Sequence, residues 1–188
     1  VKVLVQSLRA VLVLTVVTGV LYPAAVLAVG RVLFKDRSLG SRVYNAKHEL
    51  VGSSLIAQGF TRPGYVWPRP SANGYDATNS GGSNVSPVGA DAVAKVTSER
   101  LRLEEANPEA KGEPPLLLLT ASGSGLDPHL SPEAALWQAE RIAKARGRDV
   151  AVIRRIIEDS VEPRTFGILG EPRVNVLEVN RRLDESEK

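Results

Sequence analysis

Cysteine is absent from this 188-residue chain, so no disulfide framework, thiolate metal site or thiol nucleophile is available, and the redox compartment stays open. Methionine is absent too, and the chain opens on valine, which reads either as a non-standard start written literally or as following missing residues. Aromatic residues are scarce at 5%, and the surplus of basic residues, +3 at neutral pH, is scattered along the chain. A nucleic-acid-binding face needs a focused positive patch, so that class of partner is set aside. The two histidines, His48 and His129, show no paired spacing, and no metal site is expected. The length suits one domain with a real core and leaves little for a second.

What the chain does have is one long apolar run. Ala10 to Gly30, "AVLVLTVVTGVLYPAAVLAVG", carries no charge and, as a helix, spans about 30 Å, the hydrocarbon thickness of a bilayer. A core helix would show a polar stripe and a cleaved signal peptide a shorter apolar region, so an uncleaved anchor is the preferred reading. Thr15 and Gly19, one turn apart, offer a small-residue face for close helix approach or are ordinary lipid-facing residues, and Pro23 can kink the segment. One span forms no transport pathway by itself. Lys2 and Arg9 precede the span, whereas Arg31, Lys35, Arg37, Arg42 and Lys47 follow it, but long domains cross largely regardless of this count.

The rest reads as one domain of the α+β class, a mixed α/β soluble domain after a single N-terminal transmembrane helix. The divisions are a flank at 1–9, the span at 10–30, the soluble domain at 31–183 and a tail at 184–188. Leu50 to Ala57 reads as a strand pair broken at Gly52, and residues 61–87 as a long irregular segment anchored by Tyr65, Trp67 and Tyr75. Val88 to Glu105 shows helical spacing through Val88, Ala92, Val96 and Leu103. Leu116 to Thr120 reads as a central strand. Ser131 then caps a helix with Pro132 at its first position, Gly147 ends it, and Asp149 caps another with Ile153, Ile156 and Ile157 as its stripe. Thr165 to Leu169 and Val174 to Val179 read as closing strands or extended segments around the turn "GEPR".

The stretch "SGSGLDPHLSPEAA", residues 122–135, resembles a phosphate cradle in outline. Gly123 and Gly125 lack a third glycine, since Pro128 stands in its place, and neither lysine nor arginine occurs between Lys111 and Arg141. Asp127 adds a negative charge. A structural turn is preferred, while backbone N–H groups near the helix start keep a weak nucleotide contact open at Ser122, Gly123, Ser124 and Gly125, with Gln138 as a candidate for a base edge. "SGGSN" at 80–84 lacks the following glutamine of the ABC ATPase signature. Ser124, Asp127 and His129 supply the residue types of a hydrolase triad without the nucleophile elbow, leaving a membrane-anchored extracytoplasmic hydrolase as the alternative function.

Four stretches, "GSSLIAQGF" at 52–60, "RPSANGYDATNSGGSNVSP" at 69–87, "TASGSGLDPHLSP" at 120–132 and "RTFGILGEPRVNVLEVN" at 164–180, resemble the C subunit family of the bacterial high-affinity potassium-transporting ATPase, the Kdp complex. Trp137 with Gln138 and the amino-terminal span fit as well; Ala57 and Leu130 depart from the family's usual glycine and isoleucine. The resemblance implies a non-catalytic subunit of an ATP-driven potassium uptake pump in the inner membrane. Its implied partners are a potassium-channel-like subunit and an ATP-hydrolysing P-type subunit. It further implies a catalytic chaperone that raises the ATP affinity of the hydrolysing subunit, with no tightly bound cofactor and ATP contacted only within the complex. The resemblance also implies a soluble domain outside the cytoplasm, which conflicts with direct contact to a cytoplasmic ATP site.

Overall fold

The computed structural model describes residues Val1 to Ser186 and divides the chain into two compact units, Val1–Arg42 and Val43–Lys188. The first is dominated by one helical rod, Lys2–Leu33, whose most apolar window has a mean hydropathy of 2.3 and no buried residue. It consists of α1 (Lys2–Val16), a π-helical turn (Val17–Leu21) and α2 (Tyr22–Leu33). The π turn lies immediately before Pro23, which has no N–H to direct at Gly19 in an α-helical register, so the ladder widens there. Thr18 adds to the local bonding by donating its hydroxyl to the Leu14 carbonyl at 2.7 Å. The rod runs past the uncharged stretch at both ends, and the short α3 (Lys35–Ser38) follows.

The other unit opens on a two-stranded sheet of β1 (Arg42–Tyr44) and β2 (Leu50–Ser53). Its turn is organised by Asn45, whose side-chain oxygen accepts from Lys47 and Glu49 N–H at 3.0 and 2.9 Å. Only the first half of the expected strand pair is extended, and its partner is β1. From Ser54 to Gly89 the chain forms no helix or strand, in agreement with its proline, glycine and asparagine content. Helix α4 (Ala90–Ala106) buries Leu103 and half-buries Ala92 and Val96, while Val88 lies outside the helix and is exposed.

Leu116 to Leu119 is not a strand. It is a single helical turn, α5 (Leu116–Leu119), started by Pro115 and closed by the Thr120 hydroxyl donating to Leu116 O at 3.0 Å. Leucine is a good helix former without β-branching, and a four-residue apolar run carries no period to separate the two states. The sheet is built elsewhere: β3 (His129–Leu130), β5 (Arg173–Asn175) and β4 (Val161–Glu162) lie in that order, antiparallel, with Leu130 and Val161 both opposite Val174.

Helices α6 (Pro132–Leu136), α7 (Ala139–Arg146), α8 (Val150–Glu158) and α9 (Val176–Glu185) supply the rest of the core. Local chemistry sets their ends. Ser131 Oγ accepts from Ala134 N at 3.2 Å, and Asp149 accepts from Ala151 N at 2.8 Å. Gly147 takes a left-handed φ of 62°, which lets Arg148 N reach back to Ala143 O at 2.9 Å. Ile153 and Ile157 of α8, Ile142 of α7 and Val179 and Leu183 of α9 are fully buried with Leu130 and Val174. One expected strand is cut short after Val174 and Asn175, which lie in β5, and the other is replaced. Asn175 caps α9 by accepting from Glu178 N, so Val176 to Val179 is helical, and Thr165 to Leu169 is a tight turn closed by one bridge. Helix α9 reaches Glu185, inside the expected tail at 184–188, of which residues 187–188 lie outside the described residues.

Candidate functional site

The Ser122–Gly125 turn is built into a second irregular segment. Gly125 N donates to Ser122 O at 3.3 Å, closing the turn, and Gly125 has φ 67°. A side chain there would sit 2.8 Å from Gly81 O and 2.5 Å from the Asn73 amide oxygen, so the position needs glycine on both counts. The turn's carbonyls receive donors from residues 71–81: Ser71 Oγ to Gly125 O at 2.7 Å, Gly81 N to Ser124 O at 2.8 Å and Ser80 Oγ to Ser124 O at 3.1 Å. Ser122 is buried, its hydroxyl 3.3 Å from that of Ser124, which in turn accepts from Leu126 N at 3.1 Å. Gly123 is exposed beside Gly82.

Charge ties the same two segments together. Arg69 pairs with Asp127 at 3.1 Å and also donates to Ala121 O at 3.3 Å. The Asp127 carboxylate also accepts from His129 N at 3.0 Å. Hydrogen bonding from His129, reinforced by Arg69, holds the Asp127 carboxyl below the usual range against the opposing effect of burial. Tyr75 donates its hydroxyl to Arg69 O at 2.8 Å, and burial, followed by the charge of Glu99, pushes its pKa up to about 12.

Gln138 lies elsewhere. The helix expected to run from Ser131 to Gly147 breaks at Trp137 and Gln138, and the break places Gln138 wholly inside the protein. Its amide grips the backbone of Trp67 from both sides: Trp67 N donates to Oε1 at 2.9 Å and Nε2 donates to Trp67 O at 3.1 Å. Asn180 of α9 grips Val66 in the same way, at 2.8 and 3.0 Å. Two amide side chains therefore do for Val66–Trp67 what a neighbouring strand would do. Arg141 completes the arrangement, donating to Gln138 Oε1 at 2.6 Å, Pro63 O at 2.5 Å and Asn107 Oδ1 at 2.9 Å, with its guanidinium 3.9 Å from the Trp67 ring centroid.

Burial, then the like charge of Arg102, pulls Arg141 down to about 9, which still leaves it charged at neutral pH. Among the described residues no carboxylate pairs with Arg141; its partners are neutral oxygens and an aromatic face. Asn180, Arg141 and Arg69 were not signalled as functional by the sequence. Only the aromatic anchors Tyr65, Trp67 and Tyr75 pointed to this face. Clefts of about 330 Å³ beside Asn180 and about 590 Å³ beside Arg141 are lined by neither the Ser122–Gly125 turn nor Gln138.

Of the triad residue types, Asp127 and His129 are adjacent, 3.6 Å apart, while the Ser124 hydroxyl bonds to Leu126 N. The class these features define is an α+β domain following one helix long and apolar enough to cross a membrane, with polar side chains fixing its irregular backbone. The comparisons agree with that class. Residues 4–185 match the family model KdpC: K+-transporting ATPase, c chain. The chain is similar to the potassium-transporting ATPase KdpC subunit of Myxococcus xanthus, 49% identical over 180 residues, covering 95% of this chain and 85% of the relative. It is also similar to that of Rhodospirillum rubrum, 48% identical with 96% of each chain covered, and to that of Geobacter sulfurreducens, 43% identical with 97% of each covered. The chain belongs to the KdpC family, the c chain of K+-transporting ATPases.

Proposed function

We propose that this chain is a non-catalytic subunit of an ATP-driven potassium uptake pump, which stabilises the complex and raises the ATP affinity of its hydrolysing subunit. The observation that carries this reading is the tie between the Ser122–Gly125 turn and residues 71–81, which holds that mostly exposed segment as a fixed surface, while Gln138 locks the buried Trp67 behind it. A rigid irregular surface on an anchored domain suits docking, because little is lost on ordering it when a partner binds. The partners in this reading are a channel-like subunit that carries potassium and a P-type subunit that hydrolyses ATP. The helix Lys2–Leu33 packs beside their spans, with Thr15 and Gly19 as a contact face.

The soluble domain is placed outside the cytoplasm in this proposal. The effect on ATP affinity then passes through assembly and the span, and any nucleotide contact at Ser122, Gly123, Ser124 or Gly125 requires the opposite topology. Protease accessibility of the domain in intact cells decides between these. Separating the anchor from the domain tests the assembly role: loss of complex and of potassium-stimulated ATPase activity is expected, and intact assembly with full activity removes the proposal. Ser124→Ala in the assembled pump separates the two routes, since a raised ATP requirement with unchanged assembly is the signature of nucleotide contact. Turnover by the isolated domain that disappears in Ser124→Ala would replace the subunit reading by the hydrolase.

A further inference from the structure

Asn73 alone among the asparagines of the chain is followed by glycine, and the pair lies in the irregular segment that the Ser122–Gly125 turn fastens. Glycine has no side chain to keep its backbone nitrogen away from the preceding side chain, so an Asn–Gly pair can close into a ring where the backbone is free to turn. Gly74 and Tyr75 have φ of 66° and 63°, and Asp76 N donates to Asn73 O at 3.3 Å, so residues 73–76 form a turn with both central residues left-handed. Gly74 is exposed, and among the described residues its N–H donates to no group. The nucleophile for ring closure is therefore available, whereas the carbon it would attack is held. Asn73 Nδ2 donates to Asp76 O at 3.4 Å and to Asn79 O, and the Ser71 hydroxyl, which also reaches Gly125 O at 2.7 Å, bonds Asn73 Oδ1. That amide oxygen lies 2.5 Å from where a side chain on Gly125 would begin, so the Asn73 amide is wedged between its own loop and the facing turn.

We infer that Asn73–Gly74 is a deamidation site guarded by this fastening, and that its conversion releases residues 71–81 from the Ser122–Gly125 turn. In the reaction the Gly74 nitrogen gives up its proton to water and bonds to Asn73 Cγ; the Cγ–Nδ2 bond breaks, the side-chain nitrogen takes up a proton and leaves as ammonia, and a cyclic imide remains. Water then opens one of the two imide C–N bonds. Opening at Cγ gives aspartate, and opening at the backbone carbonyl gives an isoaspartyl link that carries the main chain through the side chain. Water is the only other reactant. Ring closure needs Cγ to swing onto Gly74 N, and the bonds to Ser71, Asp76 and Asn79 hold it back, so conversion waits on local opening of the loop. Both products undo the fastening. Aspartate sets a carboxylate oxygen against the Asp76 and Asn79 carbonyls in place of a donor, and the isoaspartyl link lengthens a turn that Asp76 N closes. Other asparagines lack this combination: Asn107 precedes a proline, which has no N–H, and Asn175 and Asn180 are buried with their amides bonded to backbone.

Timed incubation of the full chain in detergent at mildly alkaline pH, followed by peptide mapping by mass spectrometry, tests this. The expected result is replacement of the amide by an acid at Asn73 ahead of every other asparagine, in separable aspartyl and isoaspartyl forms. Conversion should be roughly fivefold faster in Ser71→Ala, which lacks one guarding hydrogen bond, and faster in urea, where the guard is gone altogether. The converted chain, separated from the parent, should exchange the amide hydrogens of residues 71–81 faster than the parent does, with α7 and α8 unchanged. Asn73 left intact while other asparagines convert overturns the site. A native rate equal to that in urea, or Ser71→Ala converting at the parent rate, overturns the guard, and unchanged exchange in the converted chain overturns the release. Should Ser71→Ala fail to fold, the parent in buffer against the parent in urea decides the guard without it.

Discussion

Removing the Gln138 amide deprives three groups of a partner at once: Trp67 N–H, Trp67 C=O and one arm of the Arg141 guanidinium. All lie in the interior, where an unmatched polar group carries its full desolvation cost, so Gln138→Ala is expected to destabilise the domain by about 2 to 4 kcal/mol in urea unfolding. Asn180→Ala should behave similarly through Val66. The Asp127 carboxyl titrates below its ordinary value, so its stabilising contribution is complete above the unfolded-state pKa and is lost as the pH falls through the folded one. Stability should therefore drop below roughly pH 4, and Asp127→Asn should flatten that part of the stability-against-pH curve. At this scale the sequence was legible for Gly125, whose turn was expected, and misleading on Gln138, which was read as a candidate for a base edge and is instead wholly buried on the Trp67 backbone. A glutamine in a helix is usually exposed, and nothing in its neighbours says that the helix breaks to point it inward against backbone 71 residues away.

Among the elements, those governed by contacts within a few residues were readable. Ser131, Asp149 and Gly147 cap and stop their helices as their side chains and φ preferences dictate. Leu116 to Leu119 and Val176 to Val179 were not, because four-residue stretches rich in apolar residues are compatible with either state, and the Thr120 and Asn175 side-chain bonds go with the helical one. The helical turn makes a prediction that a central strand would not. Leu118, at 1% exposure, faces the core while Leu116, at 69%, does not. Leu118→Ala should cost about 2 to 4 kcal/mol and Leu116→Ser very little, measured by thermal or urea unfolding. In the membrane helix the π turn and the Thr15–Gly19 face fall together, so Gly19→Leu is expected to reduce co-purification of the partner subunits without altering the melting of the domain.

At the scale of the whole molecule, the single span and the α+β domain were legible from one uncharged run and from the alternation of apolar stretches with glycine and proline. The packing of residues 61–82 was not, since it depends on Gln138 and Asn180 meeting backbone far away in the chain. The unit from Val43 onward has its own core, and produced without the helical rod it should unfold in one cooperative transition seen alike by circular dichroism and by Trp fluorescence. The two amide grips on Val66 and Trp67 have a consequence for the tempo of the native state. These backbone hydrogens belong to no helix or strand, yet they open only when α7 or α9 lets go, so they should exchange with deuterium as slowly as the interior of those helices. A protected pair of amides would then mark the middle of a segment that secondary structure alone would class as loop, and a single amide side chain sets the clock for each.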